Sequence, residues 1–282
     1  MKVMTASRLD KLPATLEAKP IYQYMLLAAI VLLASALRFF RLGQWSFWID
    51  EIFTVNRAQA HVLEATSIQF WEHPPSLYLI AGALQIMGVG ELSARLVPAL
   101  IGIASLVVLY FPIRRVFGSI VALLAILLLV VSPWHLYWSQ NARFYTAVLL
   151  FYTLAMFAFL IGFERDRPWY LVAFWVFLLL AFRERVFAAF FVPVMLSYLF
   201  LLWLLPFEKP AGYRLRNLLI VLLPPIVYAF YELFRLVTGG NPPLVDTYRT
   251  FTSSPYGPID DPFRIGMFVV LSVGIPLAVL SI

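Results

Sequence analysis

Along the chain, apolar runs alternate with short polar breaks. The first run extends from Ile21 to about Leu37 and emerges at Arg38 and Arg41. Others follow at roughly 96–113, 118–137, 145–163, 168–182, 186–205 and 217–237, with a last one from Ile265 to Ile282. Most are close to the ~20 apolar residues that carry a helix across a bilayer. None shows the period-two alternation of a membrane barrel. A spanning segment must satisfy its backbone hydrogen bonds internally, so the pattern predicts an all-α polytopic integral membrane protein with about eight transmembrane helices. Residues 1–20 form a basic cytoplasmic tail, and 21–282 a single transmembrane domain.

The periodicity changes between the first and second runs. Over 44–73, Trp48, Ile52, Val55 and Val62 fall near one helical face, and Asp50, Thr54, Arg57 and His61 near another. This predicts interfacial helices in a first outer loop covering 38–95, anchored in depth by Trp45 and Trp48. Glu72-His73-Pro74-Pro75 closes that stretch. The apolar run from Ser76 to Gly90 is too short for a confident crossing and is read as staying on one side. Counting basic loops does not decide the point, because they divide evenly whether or not 76–90 crosses. The non-crossing arrangement gathers Asp50, Glu72, Arg95 and Arg143 on one face.

Composition supports the membrane reading. Hydrophobic residues make up 62% and charged residues 13%, about half the charged share of an ordinary soluble domain. The absence of cysteine removes disulfides, thiol catalysis and thiolate metal sites. The net charge of +6 is scattered through short loops, which suits lipid headgroups and phosphates and gives no nucleic-acid signature. The chain stops inside a hydrophobic run, as a piece of a longer protein would.

Ionisable residues near membrane depth are costly and mark sites. Here Asp50, Glu51, Glu72, His73, Arg95 and Arg143 stand at the ends of spans. Carboxylates on one loop with guanidinium groups from others suit a phosphate-bearing substrate whose partner hydroxyl needs deprotonation. Glu72 and His73 admit two readings: ligands for a divalent metal ion, or a cap on the helix that begins at Pro74-Pro75. Arg183-Glu184-Arg185 reads as a self-paired helix end or a second phosphate contact.

The order of motifs then becomes informative: Trp48-Ile49-Asp50-Glu51, His73-Pro74-Pro75, Arg95-Leu96-Val97-Pro98, Arg114-Arg115-Val116-Phe117-Gly118, Ser132-Pro133 and Gln140-Asn141-Ala142-Arg143-Phe144-Tyr145. The series resembles the polytopic C-type glycosyltransferases, in particular the dolichyl-phosphate-mannose–protein mannosyltransferase and lipid A aminoarabinose transferase families. The resemblance implies transfer of a sugar from a polyprenyl-phosphate carrier to a hydroxyl of a protein, lipid or glycan. It implies a multi-pass protein of a bacterial inner (plasma) membrane with the site facing outward. Asp50 is then the base or metal-side carboxylate with Glu51 as its partner. Arg95 and Arg143 bind the carrier phosphate, and Tyr145 and His73 are neighbours in substrate binding. Asn141 stands where relatives often carry an acid, and it cannot act as a base. The rival readings are a transporter or flippase of anionic lipid-linked substrates, which should carry its charges at the bilayer midplane, and a non-catalytic fragment.

Overall fold

The computed structural model of the chain describes residues 20–60 and 73–239, and among them there are helices and no strand. The first of two compact units runs through Ala189 with Pro210–Gly212 added. It contains α1 (Pro20–Phe39), α2 (Ile49–Ala58), α3 (Pro75–Met87), α4 (Glu91–Phe117), α5 (Ser119–Val131), α6 (Pro133–Ser139), α7 (Tyr145–Glu164) and α8 (Pro168–Glu184). The second unit holds α9 (Phe191–Leu204) and α10 (Leu215–Val237).

Among the described residues, five stretches are long and apolar enough to cross a membrane: Ile21–Phe39, Glu91–Phe117, Tyr145–Glu164, Val186–Leu204 and Leu215–Arg235. A sixth is obtained if α5 and α6 count as one bent span. The all-helical, multi-span class is therefore as expected. The expected run 265–282 lies outside the described residues, as do His61, Val62 and Glu72.

The expected run 118–137 is not one rod. It is bent by 62° between Val131 and Pro133. Pro133 has no N–H to give to the preceding turn, and its ring pushes Ser132 into the extended region, at φ −61° and ψ 120°. The Ser132 hydroxyl then caps α6 by accepting from the His135 N–H, 3.4 Å away. At the other end of α5, Gly118 stops α4 with φ +88°, a left-handed conformation that glycine adopts without penalty.

The long helix α4 packs against α1, α3, α5, α6 and α7. Two apolar clusters lie along it. One joins Leu27, Ile30 and Ala34 of α1 to Leu106, Leu109, Ile126 and Val130. The other joins Val55 and Ala58 of α2 to Leu77, Ile80 and Leu84 of α3, with Ala94 and Ala142. This second cluster seats the short helices of the outer loop on the start of α4. α3 has 13 residues, a rise of about 20 Å that falls short of a ~30 Å hydrocarbon layer.

Candidate functional site

The site is built where α2, the start of α3, the loop after α6 and the end of α8 meet within the first unit. Asp50 and Glu51 are consecutive in the first turn of α2, where a helix N-terminus favours negative charge. Successive residues on a helix point about 100° apart, so the two carboxylates face different surroundings.

Glu51 points inward and has no solvent exposure. Its Oε1 accepts from Arg95 Nε at 2.8 Å and from the Ala142 N–H at 2.8 Å. Its Oε2 accepts from Arg95 Nη2 at 2.6 Å and from the Trp48 N–H at 3.4 Å. The other Arg95 donors go to the carbonyls of Leu42, Trp45 and Ser46. A guanidinium has five N–H groups, and all five are engaged. Arg95 and Glu51 thus form a closed, bidentate ion pair that ties α2, the start of α4 and the loop before Arg143 into one block.

Asp50 is 38% exposed in its side chain, and its Oδ2 lies 3.5 Å from Arg143 Nη2. Arg143 Nη1 donates to the Asp50 carbonyl at 3.0 Å and to Thr54 Oγ1 at 3.1 Å. Arg143 Nε is buried without a hydrogen-bond partner. Unlike Arg95, this guanidinium keeps donor capacity.

Asp50, Thr54 and Arg143 line a cavity of about 520 Å³. Arg57, Arg185 and Glu184 also face it, over a floor that includes Leu77 and Ile80. The Arg185 guanidinium carbon sits 4.2 Å from the centre of the Phe144 ring, and that of Arg143 sits 5.0 Å from the same ring. Both guanidinium groups therefore contact one aromatic ring. Both residues line the cavity, and guanidinium groups bind anionic oxygens through their paired N–H donors.

Glu184 closes α8, two residues past the apolar run 168–182, and is buried at 3% exposure. Its Oε1 accepts from the Ser76 N–H at 2.8 Å, and its Oε2 accepts from the Ser76 hydroxyl. A carboxyl group from a distant helix thus caps α3, whose first turn is opened by Pro74 and Pro75. Burial pushes the Glu184 carboxyl up to about 7, against the smaller opposing effect of its hydrogen bonds to Ser76.

The expected site residues separate into groups. Asp50 and Arg143 meet at the cavity, whereas Glu51 and Arg95 meet beneath it. Tyr145 belongs to an aromatic cluster, its ring 3.9 Å from Trp138 and 4.4 Å from Phe144. The His73 ring lies 6.1 Å from that of Tyr78, and its carbonyl accepts from Arg183. Among the described residues no three His, Asp or Glu side chains converge as a metal-ligand set. Glu72, the expected companion of His73, lies outside them.

The sequence model of the dolichyl-phosphate-mannose-protein mannosyltransferase family matches residues 72–237, more than half of the chain. The chain belongs to this family. It is a membrane glycosyltransferase of the mannosyltransferase-like kind. No curated protein and no solved structure matched the chain. The family match takes in Ser76, Arg95, Arg143, Glu184 and Arg185, and it begins after Asp50 and Glu51.

Several residues of the transferase's cavity were not singled out from the sequence. In the sequence, Arg57 reads as one more cation on the polar face of the amphipathic stretch. Phe144 looks like one more membrane aromatic until its ring is seen under two guanidinium groups. Ser76 follows two prolines and carries no signal of its own. The available signal was the Arg183-Glu184-Arg185 triplet, since charges at a span end are expensive. The triplet divides its contacts: Arg183 reaches His73, Glu184 reaches Ser76 and Arg185 lies over Phe144.

Proposed function

We propose that this transferase takes a sugar from a polyprenyl-phosphate carrier and passes it to an acceptor hydroxyl on the outer face of the membrane. The observation that carries the reading is the cavity in which one accessible carboxylate, Asp50, sits among the guanidinium groups of Arg57, Arg143 and Arg185. Asp50 accepts the proton of the acceptor hydroxyl as that oxygen attacks the anomeric carbon. The bond from the anomeric carbon to the phosphate oxygen breaks in the same step, which inverts the anomeric centre. The polyprenyl phosphate leaves with one more negative charge than it had in the donor. Arg185 and Arg143, paired on Phe144, meet that developing charge, with Arg57 nearby. Arg95 takes no direct part, because Glu51 and three carbonyls already occupy it; the pair holds Asp50 and Arg143 in register.

The test uses the purified protein in lipid nanodiscs with dolichyl phosphate mannose as donor. Asp50→Asn should lower transfer by about 10²- to 10⁴-fold, the usual worth of a general base, with an unchanged unfolding temperature. Arg185→Ala should weaken dolichyl phosphate binding by about tenfold, the loss expected for one charge-assisted contact. Full activity in the first variant removes the base assignment, and unchanged affinity in the second moves the phosphate elsewhere.

A further inference from the structure

Within the cavity, Ser76 and Glu184 are the pair to which the reaction outlined above gives no part. A phosphate is repelled by a carboxylate and has three guanidinium groups to choose from, so Glu184 is unsuited to hold it. Nor is Glu184 fully spent as a cap for α3. Each carboxyl oxygen can take two hydrogen bonds, and Ser76 supplies one to each. The Ser76 hydroxyl likewise retains lone pairs after donating. Both residues are nearly buried, at 5% and 3% exposure, yet both line the cavity. Unfilled acceptor capacity at a buried wall calls for a neutral donor group, and a sugar hydroxyl is such a group.

The chain also sets the spacing. Glu184 and Arg185 are neighbours, with α-carbons about 3.8 Å apart. One faces Ser76 and the other lies over Phe144, so adjacent residues reach toward the two ends of a glycosyl phosphate. We propose that Ser76 and Glu184 form the subsite for a ring hydroxyl of the donor's sugar, which makes Glu184 a specificity-determining residue. The sugar preferred at this wall is uncharged there and carries a free hydroxyl. A donor with an anionic group at that position is excluded by the carboxyl and by the buried setting. Sites built to bond a hydroxyl discriminate strongly against analogues lacking it, because the wall's polar groups are then left unpaired.

This inference rests on reading the cavity as a glycosyl-phosphate site, and the experiment separates the two. Dissociation constants are measured for the full chain in nanodiscs with dolichyl phosphate and with dolichyl phosphate mannose, for wild type, Glu184→Gln and Ser76→Ala. Unfolding temperatures show that each variant is folded, and Ser76→Ala serves if Glu184→Gln does not fold. Wild type should bind the mannose-bearing lipid more tightly than the bare one. Each variant should lose about tenfold for the mannose-bearing lipid while staying within twofold of wild type for dolichyl phosphate. Equal losses for both lipids, or none for either, would overturn the sugar subsite and leave the phosphate site standing. Failure of the wild type to bind dolichyl phosphate at all would remove the underlying reading, and this one with it.

Discussion

Two adjacent acids and two distant arginines form separate pairs at this site. In the sequence, Asp50 and Glu51 are equivalent neighbours, and Arg95 and Arg143 are both span-end cations. Side-chain direction parts them. Glu51 and Arg95 are closed off from water with every donor used, whereas Asp50 and Arg143 meet loosely at a cavity wall. Sequence reasoning could name the four residues but not the pairing, because one step along α2 decides which carboxylate faces inward. The pairing carries a prediction. Glu51→Ala leaves Arg95 buried and unpaired, so it should destabilise the protein by about 3–5 kcal/mol. Thermal unfolding in detergent checks this. The double variant Glu51→Leu/Arg95→Met should recover much of the loss, because the cost comes from the orphaned charge.

At the scale of elements, the informative departure from the sequence pattern is the bend between α5 and α6. Hydrophobicity runs on through Ser132-Pro133, which is why 118–137 reads as one segment. Backbone chemistry breaks it there, and a buried polar group explains why the break is useful. Arg38 of α1, without solvent exposure, reaches His135 Nδ1 at 2.7 Å, and His135 Nε2 lies 3.2 Å from the Ser105 hydroxyl of α4. Gln140, just after α6, donates from Nε2 to the carbonyls of Leu37, Arg38 and Phe40. These contacts fix the short helix, and with it the loop that carries Arg143. Close approach of α4 and α6 depends on Gly102. A Cβ there would lie 2.9 Å from the Ser139 Cβ and collide with its hydroxyl. Gly102→Ala should therefore cost about 1–3 kcal/mol through overpacking, read as a lower unfolding temperature, and Ser139→Gly in the same chain should restore part of it.

For the molecule as a whole, the first unit has two chemically distinct ends. Arg95 and Arg114 are both on α4, and their separation along the helix is about 29 Å, close to the thickness of a hydrocarbon layer. One end holds the acidic and guanidinium groups of the cavity. The other gathers Arg114, which donates to the Tyr24 hydroxyl, Arg115, which donates to that of Tyr170, and Arg165, which donates to the Arg115 carbonyl. We propose that this basic end faces the cytoplasm, as the positive-inside rule favours. Since the chain has no cysteine, Gln44→Cys and Arg167→Cys can each be labelled against a blank background. An impermeant maleimide applied from outside should modify the first and spare the second; the reverse result would invert the orientation. The helical class was readable from the runs alone. Loop charges could not decide whether 76–90 crosses, since the basic residues balanced either way. The Asp50–Arg143 and Glu51–Arg95 contacts bring both ends of that stretch to one end of the first unit.

The early turn after α5 carries a further consequence for the lipid around it. That helix climbs only about 20 Å in its 13 residues before the chain swings aside, and a bilayer meets an apolar segment shorter than its own core by thinning beside it. On the function proposed here, such thinning would bring an isoprenoid's phosphate head level with the cavity while its tail stays among the lipids. The same proposal predicts slower transfer in nanodiscs of longer-chain lipids than in shorter-chain ones, because a thicker bilayer resists thinning.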